Sequence, residues 1–435
     1  MKTFGINLIG YIGANLGLGH TAREFARALL AQGIPFCIHD IDPGQARGDF
    51  DNTFGHLAVA DPEKLPYQIN LFIAGANALG HWVFDMASKS SNRDRLNVAF
   101  LWWELPDMPD HLIEAARIFD VLIAGSEFIQ ATLMNSIPGI PVLLARHPLT
   151  IPNGIAPDRE KFGIPRDSFC FCAGFEPFSD PERKNPFAAI QAFLTAFPED
   201  PDTRLIIKIN NAPEAGTEND QLARLYAMAA RDTRIILLKK NLPYADLLSF
   251  YASCDAFVSL HRAEGLGLVP LEAMRLGKPV VSTAWSGNMS YMNYNNAALV
   301  RFELVPTSDK SQFYGPGRLG MQSYWAEPSI EHAAAIMKRI ATDDAYRARI
   351  SRHAVADSIR YDNTARQVAF IEELRALVEM RATLPKQDVA VIRTRVNDAL
   401  RAKRLKQLPP FRRFLAERTF ACKQLLGRHV LWRFK

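Results

Sequence analysis

The stretch HRAEGLGLVPLEAMRLGKPVVSTAWSGN, residues 261–288, decides how the rest of the chain is organised. It follows DAFVSLH, a strand pattern ending near His261, so Arg262 to Leu268 form a loop at the strand's carboxyl end. Pro270 suits the first turn of a helix, where its missing N–H has no partner to lose. Gly277 suits a left-handed cap at the end of that helix. Glu264 therefore falls in the loop and Glu272 in the first helical turn, eight positions apart. Gly265 and Gly267 let backbone N–H groups approach a ligand closely, and a helix amino terminus favours an anion. Such a site offers carboxylates to hydroxyl groups and backbone donors to phosphate, and a nucleotide-sugar needs both. The bland reading has Glu272 complementing the helix dipole and Glu264 solvated, each worth some tenths of a kcal/mol. A glycosidase pair also uses two carboxylates, about 5 to 9.5 Å apart across a sugar bond. Spacing alone does not separate these readings.

Outward from this stretch, short apolar runs alternate with helical patterns. FGINLI, IPFCIHD, INLFIAG, NVAFLWW and VLIAGS read as strands, with an amphipathic helix at TAREFARALLAQG. The Pro-, Gly- and charge-rich segment 151–168 reads as a linker, after which the alternation restarts with SFCFCAGF, RLIIKIN, RIILLKK, DAFVSLH and KPVVSTA. Strands alternating with helices imply parallel sheets covered on both faces. The expected class is α/β, with two doubly wound, Rossmann-like domains at 1–150 and 169–350. Helices at 351–380 would bridge the lobes, and 381–435 would form a basic tail.

The chain has 435 residues, enough for two domains, with 48% hydrophobic and 22% charged residues. No apolar run reaches the roughly 18 residues of a membrane span. MKTFGINLIGYIGANLG superficially suggests a signal peptide, but Asn7, Gly10, Gly13 and Asn15 interrupt it and no cleavage site follows, so a strand and loop are expected. Five cysteines form no CxxC pair, and Cys170 and Cys172 alternate along one strand toward one face, which fits a core role in a reducing cytosol. The net charge of +5 hides an asymmetry: residues 381–435 hold fifteen Lys and Arg against three Asp and Glu, a surplus of twelve, leaving −7 on the rest. The tail interleaves these cations with Phe411, Phe414, Phe420, Leu425, Leu426, Leu431, Trp432 and Phe434. That mixture suits a helix on an anionic membrane surface. Packing on its own domain is the bland alternative, and nucleic acid is not the expected partner because no recognition motif accompanies the charge.

Glu264 through Glu272 resembles the E-x7-E motif of retaining GT-B glycosyltransferases of family 4, the glycosyl transferases group 1 type. The likeness extends over roughly residues 1–380. GYIGANLGLGHTARE resembles that family's glycine-rich first loop. LWWELPDMPD, ERKNP, WSGNMSYM and YWAEPSIEHAA resemble a bacterial branch that builds surface polysaccharides. The resemblance implies a GT-B fold and transfer of a hexose, with mannose the branch's expectation, from a nucleoside-diphosphate sugar to a glycan or lipid-linked acceptor. It implies that Glu272 binds ribose hydroxyls, Glu264 the donor sugar, and Lys184 with Arg183 the diphosphate. Backbone from Gly265, Leu266, Gly267 and Leu268 would donate near the phosphates. Gly17 and Gly19 would close over phosphate or acceptor, and Asn288 counts with the donor contacts. The protein would sit in the cytoplasm, peripheral to the inner face of the plasma membrane, with no metal and no cofactor beyond the donor substrate.

Two positions depart from the pattern. Where many relatives carry an arginine, Phe175 and Glu176 stand, which leaves the second phosphate contact open. Where many carry a histidine, Trp103 and Glu104 stand. Glu104 could orient an acceptor hydroxyl or serve as a base, and strand-end tryptophans also serve packing. A rival reading joins Gly17, Gly19 and Ala22 to Asp40 as a dinucleotide fingerprint, and so to an NAD-dependent oxidoreductase. Against it, Gly10 to Leu16 make a longer loop than that tight turn needs. A nucleotide-sugar isomerase of the same fold and a non-catalytic sensor are further alternatives. Asp40 and Asp42 imitate a metal-binding DxD in the wrong fold for that use.

Overall fold

In a computed structural model of the chain, residues 3–42, 51–80, 82–89, 92, 94–213, 216–307, 314, 317–362, 364–384 and 388–406 are described. Six strands, β1 (Thr3–Gly10), β2 (Phe36–Asp40), β3 (Tyr67–Gly75), β4 (Leu96–Trp102), β5 (Val121–Ala124) and β6 (Val142–Leu144), form a parallel sheet ordered β2-β1-β3-β4-β5-β6. A second parallel sheet joins β7 (Phe169–Phe175), β8 (Thr203–Ile209), β9 (Ile235–Leu238), β10 (Ala256–Ser259), β11 (Val280–Thr283) and β12 (Ala298–Val300). Its order, β12-β11-β10-β7-β8-β9, reverses direction between β7 and β10. Ligands of such sheets bind beyond the carboxyl ends at that reversal. The loops after β7 and β10 carry Lys184 and Glu264, so the topology alone brings them together. A β-hairpin, β13 (Phe302–Pro306) with β14 (Tyr324–Pro328), follows.

Each sheet is covered on both faces, and the period-2 side-chain alternation of its strands divides the core. Phe171, Ala173 and Phe175 point into one apolar layer, while Cys170 and Cys172 point into the other with Cys254 and Met274. The cysteines therefore do take the core role, and Cys170 Sγ lies 3.9 Å from Cys254 Sγ without a disulfide. In the amino lobe a buried amide ladder crosses three strands: Asn7 donates to the Asn70 side chain at 2.8 Å, and Asn70 to Asn97 at 2.9 Å. Each amide finds a partner only in one alignment, so the ladder fixes the strands' register.

The segment 151–168 has no regular secondary structure, yet it packs on the carboxyl lobe. Arg159 ties it to Asp255 at 2.5 Å and to the Ser168 carbonyl at 2.8 Å, and Ile164 is buried beside Leu248. Helix Asp344–Tyr361 buries Ala354 and Tyr361 against the same lobe. The chain then returns, because helix Thr364–Met380 buries Phe370, Ile371 and Leu374 in the amino core with Ile6, Leu8 and Phe25. The chain thus crosses between lobes twice.

The first half of the basic tail is docked on the protein itself. Helix Val389–Lys406 packs Ile392 and Val396 on the amino lobe beside Leu112 and Ile113. Arg393 reaches Asp85 at 3.4 Å and Arg395 reaches Glu114 at 3.7 Å. Apolar residues spaced four apart found a protein face to cover. The aromatic residues from Phe411 to Phe434 lie outside the described residues. Among the described residues no helix is long and apolar enough to cross a membrane.

If the returning helix is part of the amino core, Leu374→Ala should destabilise a sheet whose strands end more than two hundred positions earlier. The expected loss is about 2–5 kcal/mol by denaturant unfolding. A change below about 0.5 kcal/mol would mean that the helix is merely draped on the surface.

Candidate functional site

Between the lobes lies a cleft of about 450 Å³. Glu264, Gly265, Leu266, Gly267, Leu268, Glu272, Lys184, Arg183, Glu104 and Gly17 all line it.

Glu264 is the centre of its polar end. Lys184 Nζ lies 2.5 Å from one carboxylate oxygen and Arg183 3.3 Å from the other. Burial would raise this carboxyl, but Lys184 and Arg183, with His261, outweigh it and hold it at about 2. Burial lowers Lys184, opposed by Glu264. Arg183 is also anchored through the Ala263 carbonyl at 2.9 Å and the Ser179 carbonyl at 3.1 Å. The short turn Pro181–Lys184 that carries both cations is bracketed by two non-glycine residues at positive φ, Asp180 (64°) and Asn185 (51°). Strain of this kind persists where surroundings over-determine it, and it is concentrated at functional sites. Here the Asp180 and Asn185 side chains offset it by accepting from the Glu182 and Ala188 N–H groups.

The loop bearing Glu264 is clamped from below. Ser286, itself at φ 76°, accepts the Glu264 N–H at 2.8 Å, and the Gly287 N–H donates to the Glu264 carbonyl at 2.8 Å. A Cβ on Gly287 would meet the Gly265 carbonyl oxygen at 1.9 Å, so only glycine permits this approach. Asn288 does not line the cleft. It is fully buried, donates to the Thr283 carbonyl at 2.9 Å and lies 3.2 Å from His261 Nε2. Its expected donor contact is corrected to support of the loop, because the chain turns inward after Ser286.

Gly267, at φ 82°, precedes helix Leu268–Arg275 and offers no side-chain cap, so the helix opens onto the cleft. Glu272 is its fifth residue, not part of the first turn as expected, because the helix begins two residues before Pro270. The Tyr244 hydroxyl donates to Glu272 at 3.0 Å, and His20 Nε2 of the amino lobe lies 3.9 Å from it. Burial pushes the Glu272 carboxyl up to about 8, against the Tyr244 hydrogen bond and with a push from Glu24. Burial, with the His147 and Arg23 charges, drives His20 well below its ordinary value, so it faces the cleft neutral. Among the described residues neither His20 Nε2 nor the Trp102 Nε1 has a hydrogen-bond partner. Buried unpaired polar atoms beside a cleft are hydrogen-bonding capacity held for a ligand.

The amino lobe closes the other side. Helix Gly17–Ala31 begins four residues earlier than the apolar pattern suggests, so Gly17 is its first residue. Gly19 does not face the cleft: a Cβ there would meet the Ala14 and Tyr11 carbonyl oxygens at 2.2 and 2.5 Å. Its expected donor contact becomes a packing requirement. Asp40 accepts the Gly13 N–H at 3.0 Å and is absent from the cleft lining, which breaks up the dinucleotide fingerprint. Glu104 accepts from the Tyr314 hydroxyl at 2.7 Å and lies 3.9 Å from Arg183. Trp103 is buried, donating to the Asp107 carbonyl, whereas Trp102 lines the cleft. Ser126 donates to the Gly265 carbonyl at 2.6 Å, a direct bond between lobes.

Sequence reasoning missed His20, Tyr244, Trp102 and Lys208, all cleft-lining. His20 was within reach as the polar residue after a glycine at a helix start. Tyr244 and Lys208 stand in ordinary helix and strand patterns and carry no local signal.

Residues 180–308, which hold Arg183, Lys184 and both glutamates, match the sequence profile of the glycosyl transferases group 1 family. The match lies within the carboxyl lobe and covers 129 of the 435 residues. Over 205 residues the chain is 26% identical to a D-inositol 3-phosphate glycosyltransferase of Corynebacterium urealyticum, spanning 46% of this chain but only 41% of that protein. The two-lobed fold is GT-B. HepE of Anabaena, solved with UDP and glucose, superposes with a TM-score of 0.58 at 19% identity, covering 86% of this chain and all of its own. Sucrose-phosphate synthase from Thermosynechococcus elongatus gives 0.62 at 14% identity, covering 86% of this chain and 99% of its own. In the carboxyl lobe the two glutamates sit in contrasting surroundings, one held ionised by cations and one desolvated.

That contrast has a measurable consequence. Folding raises Glu272 above its ordinary 4.5, so the folded state holds its proton more tightly. The stability linked to that proton is complete below about pH 4.5 and is lost as pH rises through about 8. Glu272→Gln should therefore be more stable than wild type by on the order of a few kcal/mol near pH 9, and by little near pH 5. Denaturant unfolding at both pH values checks this, and an advantage independent of pH would contradict it.

Proposed function

We propose that this protein is a retaining glycosyltransferase that moves a hexose from a nucleoside-diphosphate sugar to a glycan or lipid-linked acceptor in the assembly of a bacterial surface polysaccharide. The observation that carries this reading is Glu264 gripped by Lys184 and Arg183 at the mouth of a helix whose fifth residue is Glu272. A nucleotide-sugar has hydroxyl groups for the carboxylates and a diphosphate for the cations and the helix terminus. The chemistry of this site suits transfer. When the bond from C1 to the phosphate oxygen breaks, its electron pair stays on the diphosphate, and fixed cations aimed at that growing charge lower the barrier. The acceptor oxygen bonds to C1 from the same face, and its proton passes to the departing phosphate oxygen. Glu264, Lys184 and Arg183 position and neutralise; no side chain is asked to become covalently attached.

Glu104 faces this end from the amino lobe, where it orients an acceptor hydroxyl. Its carboxylate accepts from Tyr314 and lies near Arg183, so it stays anchored while the donor binds. The oxidoreductase reading loses Asp40 to the Gly13 N–H and Gly19 to packing. The HepE complex with UDP and glucose supports a nucleotide-sugar in a cleft of this fold. A mannosyl donor and a place at the inner membrane face are part of the same proposal.

Calorimetric titration with GDP, UDP and NAD tests it. One nucleoside diphosphate should bind saturably, and Glu272→Ala should weaken it. Binding of NAD alone, unaffected by that change, would overturn the reading. With a competent donor, Lys184→Ala should lower kcat by about 10²- to 10³-fold while the protein remains folded. An unchanged kcat would remove Lys184 from the reaction.

A further inference from the structure

Lys208 is the penultimate residue of β8, paired beside Gly174 of β7, and its side chain lines the cleft although it is only 2% exposed. Its surroundings differ from those of the other cations there. Lys184 is neutralised by Glu264 at 2.5 Å, Arg183 by Glu264 at 3.3 Å, and Arg23 by Asp51 at 3.1 Å. Lys208 Nζ reaches only the Ile209 carbonyl at 3.2 Å and the Asn210 side-chain oxygen at 3.5 Å. Among the described residues Lys208 forms no ion pair, and the nearby carboxylate whose charge it feels is Glu176. Glu176, which could have paired with it, instead accepts from Asn210 at 3.3 Å and Asn211 at 2.6 Å.

A buried ammonium without a counter-ion is expensive, and replacing it with an apolar side chain ordinarily improves stability. The cost is recovered when an anion arrives. The cleft also needs that charge. Arg183 and Lys184, two positive charges, already face Glu264 and Glu104, two negative ones, so the cluster is formally neutral before any donor enters. A diphosphate arriving there meets cations already shared with two carboxylates. Lys208, one strand away, adds an ammonium that forms no ion pair, since Glu176 is engaged by Asn210 and Asn211.

We propose that Lys208 is a donor-binding residue whose ammonium contacts the diphosphate of the nucleotide-sugar, completing the charge that Arg183 and Lys184 share with Glu264. This inference rests on the transferase reading and adds to it a specificity contact on β8.

The test is calorimetric titration of wild type and Lys208→Met with GDP, UDP, UDP-glucose and UDP-glucuronate, together with thermal melting without ligand. Methionine keeps the length of the side chain and removes the charge. The melting temperature of the variant should be equal to or above wild type, which guards against a folding defect. Binding of the preferred diphosphate should weaken about 10- to 100-fold, and the dependence of wild-type affinity on salt should be reduced in the variant. Unchanged affinity for every ligand would overturn the proposal. So would a loss confined to UDP-glucuronate, since the contact would then be to the sugar's carboxylate. A wild type that binds neither GDP nor UDP would instead remove the transferase reading itself, and this inference with it.

Discussion

Glu264 shared between Lys184 and Arg183 is the interaction on which the site depends. It joins the loop after β10 to the turn after β7 across the point where the strand order reverses. Each group would be costly to bury alone, and removing one partner of such a cluster leaves an uncompensated charge. The strain at Asp180, Asn185 and Ser286 holds because this cluster and the hydrogen bonds around it fix the chain there. The cluster also sets the terms for a ligand. In the proposed reaction an arriving anion would have to share cations that Glu264 already engages.

The opposite end of the cleft works by a different physical effect. Glu272, Tyr244, His20 and Trp102 are desolvated groups with few or no charged partners. A neutral, hydrogen-bonding ligand with an aromatic face and hydroxyls suits that end, just as a dianion suits the other. The polarity of the cleft thus matches the polarity of a nucleotide-sugar from ribose to phosphate.

The fold was legible because doubly wound sheets write themselves as alternation, and strand, glycine loop, proline and glutamate sit consecutively in the chain. Glu264, Lys184 and Arg183 could be read for the same reason: loops at strand ends carry local signals. Asn288 and Gly19 were placed in the right neighbourhood and given the wrong task. A glycine needed for a ligand and one needed for a neighbouring carbonyl look identical in sequence. Lys208 was invisible because LIIKIN is an unremarkable strand, and its meaning comes from its burial in the cleft without an ion pair among the described residues, which only tertiary structure can show. The docking of Val389–Lys406 was equally hidden, since an apolar stripe states that it will be covered and not by what.

The double crossing of the chain bears on how such a cleft could open. A single linker would leave the lobes free to swivel in any direction. With 151–168 leading out and the chain returning after Tyr361, the lobes are joined by two connections rather than one. Two connections leave far fewer ways for the lobes to turn against each other than one does, so the register of the Ser126–Gly265 bond is set by the path of the chain as well as by the bond itself.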